Sequence, residues 1–245
     1  WGNWRLARQR AIKATPPFYP RFLQIRGIPW LITGAALFLA FGFASSIAVR
    51  WDEFLLYLNR VPFGTADPIF GRDVSFYLFE LPVYEALQQW VISLLLLTLL
   101  GVLAIYAVNN IVDIQRGKWR PQESVILRQH VALLAALILL LWTVGYLFQI
   151  FNLNYSPRGV VFGASYTDMN ASIYALYAQM AFMGLAALVM LYNIFRLSLR
   201  PLLLTAGLWL ATTVLVGGVY PAILQRYEVE PNELVRETPY IQYNI

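Results

Sequence analysis

The sequence predicts an all-α polytopic membrane protein with five visible transmembrane helices and short interfacial helices in an extracytoplasmic loop. Hydrophobic residues make up 59% of the 245 positions and charged residues only 13%, against about 25% charged residues in soluble domains. Five windows are also continuous apolar runs of roughly the 20 residues that cross a bilayer as a helix, without the alternation of a barrel strand. The windows are Ile28–Val49, Trp90–Val108, Val131–Phe151, Ile173–Phe195 and Leu202–Leu224.

The distribution of cations predicts the orientation of these windows. Twelve of the eighteen Lys and Arg residues, but only two of the thirteen acids, lie before the first window, between the second and third, or between the fourth and fifth. Because cytoplasmic loops carry an excess of Lys and Arg, we expect these regions to be cytoplasmic. The C-terminus is then extracytoplasmic, and the expected location is a bacterial inner membrane.

The same reasoning divides the chain into regions. Residues 1–27 are predicted to be a cytoplasmic basic amphipathic segment. Residues 28–226 are predicted to form the transmembrane domain, with outer cap loops at residues 50–84 and 152–170. Residues 227–245 are polar and have helix-start chemistry at Pro231, and we expect them to begin an extracytoplasmic domain that continues outside this chain.

The first cap loop combines an amphipathic stretch with turn residues. The run "WDEFLLYLNR" has the pattern of a short helix that lies in the membrane interface. Gly64 and Gly71 permit positive φ, and Asp67 before Pro68 suits an Asx-type turn. Asp73 can cap a helix through "VSFYLFE"; a strand is the alternative for this run, and the helix is the favoured prediction.

The charges of this loop have two interpretations. In the first, Asp67, Arg72 and Asp73 form a site for a cation or a lipid headgroup. In the second, which we favour, they cap helices and pair with one another in a rigid surface loop. Two acids six residues apart, with no histidine or third acid nearby, are a weak metal signature.

The second cap loop repeats this chemistry. Thr167 or Asp168 is expected to cap the fourth window. Arg158 is the only cation of the loop, so we expect it to pair with an acid of the first cap loop and to join the two loops into one cap. Arg158 and Asp168 therefore complete the candidate outer-loop site with the three charged residues named above.

The five apolar windows contain few side chains that could bind an ion, carry a proton or take part in catalysis. Ionisable residues in a bilayer core usually mark ion or proton paths, and none is central to any window. Gln179 is the deepest amide, and the Gly217-Gly218 pair before Pro221 predicts a bend near the outer end of the last window. His130, at the cytoplasmic entrance of the third window, is predicted to be an interfacial residue. No catalytic motif or cysteine occurs, and we predict no catalytic, cofactor-binding or metal-binding residue.

Three stretches resemble one known family. They are "YLNRVPFGTADPIFGRDVSFYLFELP", "YSPRGVVFGASYTDMNA" and "PNELVRETPYIQYNI", which occur in this order between about Trp51 and Ile245. They are similar to the uncharacterised protein family 0182, which comprises large multispanning bacterial proteins. This resemblance implies further spans before Trp1 and a large extracytoplasmic domain after Ile245. It implies no catalytic residue.

Two functions from different classes follow. The leading hypothesis is a non-enzymatic membrane scaffold or assembly subunit that docks laterally to other integral membrane proteins or to further copies of the chain. If the source is cyanobacterial, a thylakoid membrane is the alternative location. The rival is a transporter or transfer protein for a lipid or hydrophobic solute, which needs a lipid-accessible groove or a cavity at the membrane midplane near Gln179 and Thr212. An enzyme would need an active site in the outer domain. Membrane lipids are expected partners, whereas nucleic acid and cofactors are not.

Overall fold

The protein is helical in the part that is described. The computed structural model describes residues 1–6, 27–114, 125–196 and 199–245. Within them, five helical stretches are long and apolar enough to cross a membrane: Ile28–Ala48, Phe76–Tyr106, Gln129–Tyr155, Asp168–Phe195 and Arg200–Asn244. Each overlaps one predicted window, so the all-α fold with five membrane-spanning helices is confirmed. Most of the predicted basic segment, residues 7–26, lies outside the described residues.

Residues 2–6 are helical, and eight α-helices follow them in the described part of the chain. They are α1 (Ile28–Ala48), α2 (Trp51–Leu58), α3 (Leu81–Ile114), α4 (Val125–Phe151), α5 (Ile173–Arg196), α6 (Leu199–Val214), α7 (Tyr220–Leu224) and α8 (Glu233–Asn244). Wider π-helical turns precede α3 (Phe76–Glu80) and α5 (Asp168–Ser172) and lie on either side of α7 (Leu215–Val219 and Gln225–Val229). The short helix predicted at "WDEFLLYLNR" is α2, and "FYLF" is helical rather than extended.

The chain divides into two compact units. The first comprises Trp1–Asp52, Gln89–Ile138 and Met190–Leu197, and the second comprises Glu53–Gln88, Leu139–Val189 and Ser198–Ile245. The second unit contains most of both cap loops and the C-terminal helix.

The first unit has a core in which one glycine admits an aromatic ring. Val102, Tyr106 and Leu134 are buried together, and Trp4 packs against them. The indole N–H of Trp4 donates to the Thr98 carbonyl at 3.2 Å. A side chain at Gly101 would start 2.1 Å from the Trp4 ring, so the glycine leaves the space that the ring occupies.

Helix α1 contributes little to that core. None of its 21 residues is buried, and large side chains such as Trp30, Phe38 and Phe41 are three-quarters exposed. Its polar contact with the unit is made through the backbone, since the Trp90 indole donates to the Phe43 carbonyl at 3.0 Å. The exposed face is therefore available to lipid or to another protein.

The second unit is tied together between helices by side chains that fit beside small residues. The Trp209 indole donates to the Tyr146 hydroxyl at 2.8 Å, and the Gln88 amide donates to the Leu141 carbonyl at 2.6 Å. Gly145 admits this amide, because a Cβ there would lie 2.4 Å from the Gln88 nitrogen. The small residue and the buried hydrogen bond are typical of helix packing in a membrane.

Candidate functional site

Asp73 closes the first cap loop onto the helix that follows. Its carboxylate accepts hydrogen bonds from the backbone N–H groups of Phe63, Gly64 and Ser75 at 3.1, 2.9 and 2.8 Å. The Ser75 bond caps the helical turn, as predicted, because that N–H has no partner inside the helix. The other two require the chain to turn back, and Gly64 does so with a φ of 72°.

Asp67 stabilises the neighbouring turn in the same way. Its backbone N–H donates to the Arg72 carbonyl at 2.7 Å, and its own carbonyl accepts from Gly71 at 2.9 Å. The carboxylate accepts from the Tyr77 hydroxyl at 3.1 Å and from the Phe70 N–H. Gly71 has the positive φ, 67°, that was expected from the sequence. The carboxylates of Asp67 and Asp73 are thus both occupied by donors that lie within the loop itself.

Arg72 does not pair with either acid but lies over aromatic rings. Its guanidinium carbon is 5.4 Å from the centre of the Phe76 ring and 5.7 Å from that of Phe151. Cation–π contacts of this length stabilise an arginine without an anion. Phe151 ends α4, so Arg72 and Phe76 bring the first cap loop against the helix that leads into the second.

The hydrogen bonds of Asp73 predict a pH dependence of this loop. The bonds from Ser75, and then those from Phe63 and Gly64, lower the pKa of Asp73 from 3.8 to about 2. A carboxyl with a lowered pKa in the folded state stabilises the fold above its unfolded pKa, and the contribution is lost as the pH falls through about 2. Asp73→Asn should therefore speed amide hydrogen exchange at Phe63 and Gly64 at pH 6.

The difference in exchange between Asp73→Asn and the wild type should vanish below about pH 2, where the wild-type carboxyl is protonated. Asp52→Asn is the control, because Asp52 is an exposed acid near the start of the same loop. Equal exchange rates at pH 6 in Asp73→Asn and the wild type would contradict the prediction.

In the second cap loop, Ser165 and Asp168 form a reciprocal cap at the start of the helical run into α5. The Ser165 hydroxyl accepts from the Asp168 N–H at 3.2 Å, and the Asp168 carboxylate accepts from the Ser165 N–H at 3.2 Å. This is the geometry of a capping box. The expectation that Thr167 or Asp168 is itself the cap is wrong, because the helical residues begin at Tyr166 and both lie within the first turn. Thr167 instead donates its hydroxyl to Gln225.

Arg158 pairs within its own loop. Its guanidinium lies 3.2 Å from the second oxygen of Asp168, and the side chains are 41% and 3% exposed, respectively. The same nitrogen also donates to the Ser172 hydroxyl at 2.8 Å. The predicted pairing with an acid of the first cap loop is therefore wrong, because Arg158 pairs with the Asp168 carboxylate, whose other oxygen accepts from Ser165.

The contact between the two cap loops is made by aromatic groups instead. The Tyr155 hydroxyl donates to the Tyr77 carbonyl at 3.3 Å, and the two rings meet edge to face with centres 6.4 Å apart. Phe151 contacts Phe76 and Tyr77 in the same manner. The two cap loops therefore pack against each other through one cluster of aromatic side chains.

Helix α8 covers the second cap loop. The Glu237 side chain is 2% exposed, and both of its oxygens lie 3.2 Å from the Tyr166 N–H, the first donor of the helical run. The Asn244 amide donates to the Ala164 carbonyl at 3.1 Å and fills the space beside Gly163, whose φ is 137°. The polar C-terminal residues are therefore part of this compact unit.

An open cavity of about 420 Å³ lies between these elements. Its wall includes Arg158 and Asp168 at one end and reaches Gln179 and Gly217 at the other. Its volume is within the 300–1,000 Å³ that small-molecule sites occupy. The cavity thus runs from the charged pair of the loop to an amide about three turns along the helix, since Gln179 follows Asp168 by about 16 Å at 1.5 Å per residue.

Gln179 and Gly217 line the end of the cavity that lies away from the Arg158–Asp168 pair. The Gln179 side chain is only 7% exposed, lines the cavity, and has no hydrogen-bond partner among the residues that the structure describes. A Cβ at Gly217 would lie 2.8 Å from the Gln179 nitrogen, so the glycine makes room for the amide. The π-helical turn Leu215–Val219 places Gly217 there, at the irregularity that the Gly217-Gly218 pair predicted.

The structure separates the five residues of the predicted site into two groups. Arg158 and Asp168 form an ion pair on the cavity. Asp67, Arg72 and Asp73 stay in the first cap loop, where the two acids stabilise turns and Arg72 lies over aromatic rings. The described residues contain no group of three or more His, Asp or Glu side chains that could hold a metal ion. Sequence reasoning missed Ser165 and Glu237; the Ser-x-x-Asp spacing of "SYTD" was a readable signal for the first.

The comparisons with known proteins agree on one family. The model of the Uncharacterised protein family (UPF0182) matches residues 9–245. A UPF0182 protein of Trichlorobacter lovleyi is 37% identical over 225 residues, which are 91% of this chain and 24% of the relative. A UPF0182 protein of a Synechococcus species is 39% identical over 227 residues, 86% of this chain and 26% of the relative, and one of Moorella thermoacetica is 36% identical over 232 residues. The chain spans about a quarter of the length of these relatives. No solved structure matches.

Proposed function

Because the chain belongs to the uncharacterised protein family UPF0182, whose name assigns no activity, we propose its function from the geometry. The chain is the membrane-embedded part of a protein that binds an amphiphilic lipid or hydrophobic solute in the cavity and transfers it across or out of the bilayer. This was the second of the two functions that the sequence suggested, and one observation now favours it.

That observation is the cavity that reaches Gln179. Transfer requires a cavity at this amide, and a tightly packed bundle would have excluded it. In the predicted orientation, the loop end with Arg158 and Asp168 faces outward. The depth of about 16 Å then carries the cavity to roughly the middle of a hydrocarbon core of about 30 Å. Thr212 does not take part, because its hydroxyl donates to the Leu208 carbonyl within its own helix at 2.8 Å.

The cavity also has the mixed lining that an amphiphile needs. Leu153, Leu176 and Ala175 contribute apolar surface, while hydrogen-bonding side chains lie among them. A site of this kind orients a ligand with a few polar groups and gains most of its affinity from apolar burial.

A matched pair of leucine substitutions tests the proposal. Leu176 lines the cavity and Leu188, on the same helix, is 61% exposed. Leu176→Trp places a large ring in the cavity, whereas Leu188→Trp places the same ring outside it. The full chain and both variants are purified in detergent, and the co-purified lipids are identified by mass spectrometry.

We expect the wild type and Leu188→Trp to retain one class of amphiphile well above its share of the membrane lipids, and Leu176→Trp to lose it. Lipid compositions that match the bulk membrane in all three proteins would overturn the proposal.

The scaffold remains the second candidate, favoured by α1. A 21-residue apolar helix with no buried residue offers a long face to another integral membrane protein. A partner can pack against the large exposed side chains of α1 without removing any charged group from water, because α1 has no charged residue. Chemical cross-linking from Phe38→Cys in native membranes, followed by mass spectrometry, should capture one defined protein if scaffolding is the function. Labelling of lipid alone would count against it.

A further inference from the structure

The arrangement of polar groups in the cavity also indicates the class of headgroup. We propose that the cavity binds an amphiphile whose headgroup is neutral and rich in hydroxyl groups, such as a glycolipid. This inference rests on the proposed function and specifies its ligand. Three observations support it: the charged residues of the cavity neutralise each other, amide groups in its wall can still form hydrogen bonds, and Gly217 leaves room beside Gln179.

The first step is the charge balance. Arg158 and Asp168 are the charged residues that line the cavity, and they neutralise each other at 3.2 Å. The carboxylate is further occupied by Ser165 and Ser172. A phosphate or an ammonium headgroup would have to compete with one member of this ion pair for the other or bind without a counter-charge, which weakens its binding. A neutral headgroup meets no such penalty.

The second step is the hydrogen-bonding capacity that remains. Three side-chain amides line the cavity: Gln149, Asn152 and Gln179. Asn152 uses its N–H group to bind Glu85, which leaves its carbonyl oxygen as an acceptor. Gln179 lines the cavity and has no partner within the described part of the chain, so a ligand in the cavity can form hydrogen bonds with its amide. A hydroxyl group donates and accepts one hydrogen bond at the same atom, which is the complement of a free amide.

The third step is the burial of Gln179. Only 7% of the Gln179 residue is exposed, and a ligand that fills the cavity would cover what remains, so the amide would then need a hydrogen-bond partner on the ligand. Gly217 keeps the space in front of it open. The amide is therefore placed to contribute to binding only when a polar group enters the cavity.

The test compares headgroups on one lipid tail. The full chain is reconstituted in phosphatidylcholine nanodiscs and titrated with a short-chain glucosyl diacylglycerol, with the matching phosphatidylglycerol, or with methyl glucoside. Bound molecules are counted by native mass spectrometry. We expect the glucosyl lipid to bind at least about tenfold more tightly than the other two, a ratio typical of one buried hydrogen-bonding group.

Gln179→Leu should weaken the glucosyl lipid about tenfold, and it should fold normally, because an apolar residue of similar shape replaces a group that has no partner. Gln242→Leu is the control: it removes an exposed amide of the same unit that does not line the cavity, and it should leave the affinity unchanged. Thermal unfolding of each variant confirms that it is folded.

The outcomes separate this inference from the proposed function. Tighter binding of phosphatidylglycerol that Leu176→Trp abolishes would overturn the neutral headgroup and leave the transfer function standing. Equal binding of methyl glucoside and the glucosyl lipid would overturn the membrane lipid as the ligand. Binding of no lipid, or binding that Leu176→Trp does not change, would overturn both.

Discussion

Replacing Asp168 by asparagine is expected to lower the free energy of unfolding by about 2 kcal/mol, the largest effect we predict for a conservative change in this chain. The carboxylate has three roles at once. It accepts from the Ser165 N–H in the capping box, it forms the ion pair with Arg158, and it accepts from the Ser172 hydroxyl. Asparagine keeps the shape but removes the charge and reverses one of its acceptors into a donor.

The loss should be smaller than the 3–5 kcal/mol that a broken buried ion pair costs. Arg158 is 41% exposed, so it can be hydrated when its partner is neutral. Unfolding by SDS in mixed micelles, followed by circular dichroism, measures the difference. Glu230→Gln is the control, because Glu230 is an exposed acid of the same unit and should change stability by less than about 0.5 kcal/mol.

A double-mutant cycle isolates the ion pair from the cap. Asp168→Asn combined with Arg158→Leu should cost roughly 1 kcal/mol less than the sum of the single changes, since the pair is lost only once. Strict additivity would show that the cap alone stabilises this loop and that Arg158 and Asp168 do not form an energetically coupled ion pair.

The features that could be predicted from the sequence depend on local physics. The five helices follow from the thickness of a bilayer, which any apolar window of sufficient length must match. The turns of the first cap loop follow from residues that are close in sequence: Gly64 and Gly71 supply positive φ, and Asp73 caps the helix that begins directly after it. Each of these assignments requires knowledge of neighbouring positions only, at most the roughly 20 residues of one window, and all three appear in the structure.

The features that were missed depend on which distant residues meet. Several acids could pair with Arg158, and the sequence does not show whether Asp168 or an acid of the first cap loop lies nearer to it in space. Glu237 contacts Tyr166 across 71 positions, and a lone acid in a polar tail carries no signature of a cap on another helix. The sequence also does not show that Gly217 makes room for the Gln179 amide. Their contact can be seen only when the positions of both helices are known.

Glu237→Ala is expected to raise the rate of amide hydrogen exchange at Tyr166 about 30-fold, which corresponds to a local loss of about 2 kcal/mol. The Glu237 carboxylate is the acceptor for that N–H, the helix cannot supply another, and the site is too buried for water to replace it. Glu237→Gln keeps one acceptor oxygen at the same position and should restore part of the protection. Glu233→Ala removes an exposed acid from the same helix and should leave the exchange rate unchanged.

The extent of the change distinguishes a local cap from a general loss of stability. If Glu237 acts as the cap, faster exchange should be confined to residues 163–170 and to α8, where Asn244 and Tyr240 contact Ala164 and Asn170. Exchange at Phe63, Gly64 and Ser75 should not change, because their hydrogen bonds to Asp73 do not involve Glu237. A uniform increase throughout the second unit would mean that Glu237 stabilises the unit as a whole. The C-terminal helix would then be a part of its core and not a cover on the second cap loop.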